Sequence, residues 1–246
     1  MISSFLTIAP SLPEIDWNVI GKIASQKPLD LERLDELRQV VIASQPELAA
    51  STRPADIDIE MLAGTFQVKG RSEMNEADLS SVHTLHNTLA AQFGNDVNIE
   101  HRISTPLQHQ IKFARAGARA LFDTVGFQVV PSAASRAGDV LQHLSKIAGW
   151  EKLFVFNTFP FSIKDFATFI SPDSSPFYRA VHFYLVNNGV CAEIQVRLPF
   201  THEWTKLHHA TVYKPRVQIS GHVRDEINRI GASANFLDYT DVLLKF

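Results

Sequence analysis

The stretch Tyr178-Arg-Ala-Val-His-Phe-Tyr-Leu-Val-Asn-Asn-Gly-Val-Cys-Ala-Glu-Ile-Gln-Val-Arg197 decides the fold. It reads as a hairpin: an apolar-rich strand, an Asn187-Asn188-Gly189 turn, and a second strand. A hairpin requires none of Arg179, His182, Glu193, Gln195 or Arg197. Polar side chains repeated along two paired strands imply a surface with work to do.

Outward from the hairpin, strands alternate with helices. Upstream, 152–156 and 124–130 read as strands, and 97–104 alternates as a short one. Helical spacing covers 28–44, where Asp30 is a plausible N-cap, and 75–93, ending at Gly94. A further helix opens with Thr105 as N-cap and Pro106 at its first position. Residues 135–150 form another, closing near Gly149. Residues 157–177, rich in Pro and Ser, read as a long loop with a helical turn. Downstream, 199–214 is helical, and 222–246 is one or two helices. This order implies an α/β (α+β) fold, a mixed β-sheet flanked by helices.

The chain has 246 residues, a formal net charge of -3 and 45% hydrophobic residues. That balance suits a globular domain and argues against a broadly basic nucleic-acid binder. The longest apolar runs are too short to span a bilayer, and the N-terminus is a poor signal peptide. The single cysteine, Cys191, excludes an internal disulfide. A cytoplasmic location without membrane association is expected.

Asp123 and Glu193 are the acids at special places: one just before a strand, one within a strand among apolar neighbours. Two carboxylates from neighbouring strands can hold one Mg²⁺, and Arg102, Lys112, Arg115, Arg119, Arg179 and Arg197 supply cations for phosphate. From residue types alone a bland reading leads: Asp123 ends a turn and Glu193 forms a salt bridge. His83 and His86 read as a solvated helix face, Met61 as packing, and Cys191 as a small buried apolar residue.

The spacing resembles the synthetase domain of the RelA/SpoT family, across roughly 75–216. Tyr178-Arg179-Ala180-Val181-His182 and Glu193-Ile194-Gln195-Val196-Arg197 match its paired strand motifs. Asp123-Thr124-Val125-Gly126 matches a strand start. Arg102 with Lys112, Lys164-Asp165, and Trp204, His209, Tyr213 and Lys214 follow the same order. The resemblance implies a pyrophosphokinase that moves the β,γ-diphosphate of ATP to a ribose 3′-hydroxyl. It implies that Asp123 and Glu193 are catalytic and hold Mg²⁺. Arg102 and Lys112 would bind ATP, with Gln128 at the second half of the adenine clamp. Tyr178 would stack on the acceptor base, and Arg179, His182, Gln195 and Arg197 would complete the acceptor side.

The chain departs from the family pattern at several positions. Gln128 stands where relatives carry Arg, Ser104 where they carry Lys, and Phe177 where they carry Gly; Leu198 and His208 also differ. The implied organisation is an N-terminal helical extension (1–66), a synthetase domain (67–218) and C-terminal helices (219–246), without a hydrolase half. The leading acceptor is a guanine nucleotide, GDP or GTP, which would make (p)ppGpp. A tRNA 3′ end, as in a translation-blocking toxin, and a degenerate nucleotide- or protein-binding module without catalysis stand as alternatives. Partners open to such a protein are a second copy of itself, or an antitoxin or immunity protein.

Overall fold

The computed structural model describes residues 15–27, 30–49, 57–162, 175–213 and 219–244. Strands β1 (Val97–Ile103), β2 (Val125–Pro131), β3 (Glu151–Asn157), β4 (Val181–Asn187) and β5 (Val190–Val196) form one sheet in the order β1-β2-β5-β4-β3. β2 and β5 run parallel, and the other neighbouring pairs antiparallel.

The period of two separates the faces. Val125, Phe127 and Val129 of β2, Val181, Phe183 and Leu185 of β4, and Ala192, Ile194 and Val196 of β5 are all buried on one face. The opposite parity is polar and falls into two cross-strand rows. One runs Arg102–Gly126–Glu193–Tyr184–Phe154, the next Glu100–Gln128–Gln195–His182–Phe156. The hydrogen-bonding side chains of the hairpin therefore lie on one surface, Arg179 excepted.

The apolar face shares its core with helices α1 (Trp17–Ala24), α2 (Leu31–Ser44), α4 (Glu76–Phe93), α6 (Ala137–Leu144), α7 (Pro199–His208) and α8 (Gly221–Leu243). Ile20, Ile23, Leu34 and Val41 of the N-terminal helices belong to this core, and α8 packs on α1, α2 and α7. A second, smaller cluster joins Val68, Phe122, Phe154 and Cys191 to Ile59 and Leu62 of α3 (Ile59–Thr65), which covers one end of the polar face.

Local signals account for the element ends. Asp30 caps Glu32 N, and Thr105 exchanges capping-box bonds with Gln108 behind Pro106 to open α5 (Pro106–Ala116). Asn188 and Gly189 have φ of 49° and 80°, the pair of positive angles that suits a two-residue hairpin turn. A Cβ at Gly189 would lie 2.6 Å from the Gln67 carbonyl oxygen, so the turn requires glycine twice over.

Some expectations change. β4 begins at Val181, after Tyr178-Arg179-Ala180. The Thr105 helix stops at Ala116 and continues as a 3₁₀ segment, Gly117–Asp123, so Asp123 ends a turn and not a strand. The helix after β2 is only Ala137–Leu144, and the C-terminal region is one helix. Met61 is 59% exposed and packs no core. His86 is half-buried, its ring 4.7 Å from that of His101, so this face of α4 is a histidine contact with β1.

Candidate active site

One polar cluster forms where β1, α5 and the start of β2 meet. Arg102 on β1 pairs with the Asp123 carboxylate, and Lys112 Nζ lies 2.6 Å from Asp123 Oδ2. Lys112 also donates to Ser104 Oγ and to the Asp123 carbonyl oxygen, each at 3.2 Å. Ser104 is buried and braces Lys112. Arg102 lies flat because its register partner is Gly126: a Cβ there would come within 3.2 Å of the guanidinium. Two cations thus converge on one partly exposed carboxylate. Cations of this kind can bind phosphate oxygens when they exchange partners.

Glu193 centres a second polar network, and its carboxylate is buried. Its Oε1 lies 2.8 Å from His182 Nδ1 and accepts from the Tyr184 hydroxyl at 2.8 Å, while Oε2 accepts from Gln195 Nε2 at 2.8 Å. Burial alone would raise its pKa. The bonds and charge of His182, with the bonds from Tyr184 and Gln195, outweigh burial and hold the carboxyl down to about 2. The other ring nitrogen, His182 Nε2, lies 3.1 Å from the Tyr178 hydroxyl. Arg197 donates to Gln195 Oε1 and sits 5.5 Å from the Tyr178 ring centre. A cation thus lies over one face of that ring.

Gln128 lies between Glu100 and Gln195 in the second polar row, one step along the sheet from Arg102. Arg179 departs from its expected place. It has the parity of Val181, is 1% exposed, and donates to the carbonyl oxygens of Tyr178 (3.0 Å) and Phe161 (3.3 Å). Burial lowers its pKa, opposed by Tyr239 in the core. The structure brings together Tyr178, His182, Glu193, Gln195 and Arg197 as one network, and Arg102, Lys112 and Asp123 as another. Arg179 joins neither.

Trp204 is buried and gives its indole N–H to Ile227 O at 2.7 Å. His209 and Tyr213 bound a π-helical turn. Lys164, Asp165 and Lys214 lie outside the described residues. Two contributors were not read from sequence. Tyr184 shares the face of His182, a signal that strand parity carries. Thr158 touches the Tyr178 backbone, and nothing in its local sequence marks it. Among the described residues no group of three or more His, Cys, Asp or Glu could hold a metal ion. Nor is any helix of these residues long and apolar enough to cross a membrane.

No model of a known protein family matches the chain, and no curated protein matches its sequence. Solved structures do match. The small alarmone synthetase 1 of Bacillus subtilis, bound to its product pppGpp, superposes with a TM-score of 0.52 at 16% identity, over 76% of this chain and 95% of that one. The small alarmone synthetase 2 of the same organism gives 0.51 at 19% identity, over 77% and 98%. A GTP pyrophosphokinase family protein from Streptococcus pneumoniae gives 0.50 at 16%, over 74% and 90%. With its mixed five-stranded sheet, polar on one face and helix-packed on the other, the chain has the RelA/SpoT-like synthetase fold of these proteins.

Proposed function

We propose that this protein is a pyrophosphokinase that transfers the β,γ-diphosphate of ATP to the ribose 3′-hydroxyl of a guanine nucleotide. One observation carries the reading. In a fold whose solved example holds pppGpp, the chain aligns a cation–carboxylate cluster and a buried carboxylate network on the same sheet face. Transfer of a diphosphate needs positioning and charge compensation more than covalent chemistry.

In this reading Tyr178 stacks on the acceptor base. Gln195 and Arg197 orient the acceptor, and His182 holds both Tyr178 and Glu193. Glu193 accepts a hydrogen bond from the 3′-hydroxyl and takes its proton as the oxygen attacks the β-phosphorus; the bond from that phosphorus to the α-phosphate oxygen breaks and AMP leaves. Arg102 and Lys112 move from Asp123 onto phosphate oxygens. Asp123 and Glu193 are hard oxygen donors of the type that suits Mg²⁺, whose other positions are usually filled by waters and phosphates. The ion would neutralise charge on the diphosphate.

A tRNA 3′ end is the second acceptor considered, on the strength of α5. That helix exposes Leu107, Ile111 and Phe113 beside the site, and the sequence from Ile103 to Phe122 holds Lys112, Arg115 and Arg119 without an acid. Such a surface suits a macromolecular phosphate chain. Incubation with β-labelled ATP and Mg²⁺ against GDP, GTP and tRNA separately tests both. We expect label on the guanine nucleotides with release of AMP. Label on tRNA alone selects the second reading, and no labelled acceptor overturns both.

A further inference from the structure

We infer that helix α2, through Arg38, is a positioning element of the acceptor end: it fixes the backbone that presents Tyr178. The inference rests on the acceptor role proposed above for Tyr178.

Arg38 is 2% exposed, far from where an unpaired charge would settle. Its Nη1 donates to the carbonyl oxygens of Phe159 and Pro160, both at 2.9 Å, and its Nε to Asp35 at 3.2 Å. The same segment is held again from the N-terminal region, because Asn157 Nδ2 donates to Leu48 O at 2.6 Å. Asn157 Oδ1 in turn accepts from Phe159 N at 2.8 Å. Residues 157–160 are thus fastened on both sides by residues 38 and 48.

Thr158 sits between these anchors, fully buried, and hands the constraint on. Its amide donates to Ala180 O at 3.1 Å, and its hydroxyl accepts from Ala180 N at 2.8 Å. That hydroxyl also lies 3.1 Å from Ala180 O and 3.3 Å from Tyr178 O. From the other side Arg179 ties Tyr178 O to Phe161 O. Tyr178 precedes β4 and has no strand ladder to hold it. Its amide donates to Ser175 O at 3.1 Å, and the neighbouring Phe177 O is held by Asn235 at 3.0 Å; the rest of its backbone is held through the chain Arg38, 159–160, Thr158, 178–180. The Arg102–Lys112–Asp123 cluster draws on β1, α5 and the 3₁₀ turn before β2, towards the opposite edge of the sheet and outside this chain of contacts.

Arg38→Lys keeps the charge but offers one ammonium to two carbonyls. Thr158→Val keeps the shape and removes the hydroxyl. In both variants we expect faster hydrogen exchange confined to 158–162 and 178–180. We also expect guanine-nucleotide affinity, measured by calorimetry on the full chain, to fall by roughly tenfold or more, with ATP affinity unchanged. Faster exchange with unaltered guanine-nucleotide affinity overturns the proposal. So does an equal loss of both nucleotides in a folded variant. If the wild-type protein binds no guanine nucleotide, the acceptor reading fails separately. Exchange at 178–180 then decides alone, and unchanged rates in both variants sink the coupling.

Discussion

A methyl group added at Gly126 would lie 3.2–3.3 Å from three atoms of the Arg102 side chain, closer than such contacts settle. The fold tolerates alanine in a strand, so the strain falls on the arginine. Gly126→Ala should weaken ATP binding by roughly tenfold, about 1.4 kcal/mol, while shifting the melting temperature little. Calorimetry beside thermal denaturation checks both, and intact ATP affinity would mean that Arg102 does not serve the donor. Glu193→Gln sets a different trial. The new amide N–H₂ faces groups that all donate to Glu193, so one buried donor is left unsatisfied at about 1–3 kcal/mol. Transfer should vanish while denaturant titration still shows a cooperative transition. Much of this site was legible, because alternation in a strand assigns His182, Glu193, Gln195 and Arg197 to one face without a structure. The same parity, counted back from Val181, assigns Arg179 to the core; the motif grouped it with its polar neighbours instead. The pairing of Arg102 and Lys112 on Asp123 was not legible, since it depends on a 3₁₀ turn whose sequence, Gly117–Asp123, continues the helical pattern before it.

Element ends were largely written locally, in Asp30, Thr105 with Pro106, and the Asn-Gly turn of the hairpin. Helix α7 is an exception. Its N-cap position is Leu198, which offers no side-chain acceptor, and the cap comes from Asp238 on α8. Asp238 takes the amides of Phe200 and Thr201 at 3.0 and 2.7 Å and the Thr201 hydroxyl at 2.6 Å. A capping group 37 residues away cannot be read from a local pattern. Burial raises the Asp238 pKa to about 7, with Asp241 adding to the rise and the three donors opposing it. The folded chain therefore keeps this proton where the unfolded chain, near 3.8, has lost it. Its contribution to stability is full at acid pH and is lost as pH rises through about 7. His202 and His208 act in the opposite sense. Burial first, then neighbouring charges, lowers them to about 3 and about 4. Stability drawn from them is complete above 6.5, their ordinary value, and falls as pH drops below it. Urea denaturation across pH 5 to 8 should show a maximum between these limbs. Asp238→Asn should abolish the fall towards pH 7 and steepen the acid limb, because the Asp238 contribution declines all the way from 3.8 to about 7; an unchanged fall would remove Asp238 as its source.

At the scale of the molecule, the first helices and the last one share a single core with the sheet. Ile23, Leu34 and Val41 meet it from one end of the sequence, and Ile227, Ile230 and Val242 from the other. A chain reduced to 67–218 loses all six. We expect it to lack a cooperative thermal transition, although it retains every residue proposed to touch nucleotide; a sharp transition in that fragment would show that the terminal helices are accessory. Arg229 Nη2 donates to Ala24 O at 3.3 Å across 205 residues of sequence. On a ribosome adding about 5–20 residues per second, that partner arrives roughly 10–40 s after Ala24 has been joined to the chain. Through this interval the apolar faces of α1 and α2 lack the helix they pack on, so this core closes late in synthesis, only once α8 has been made.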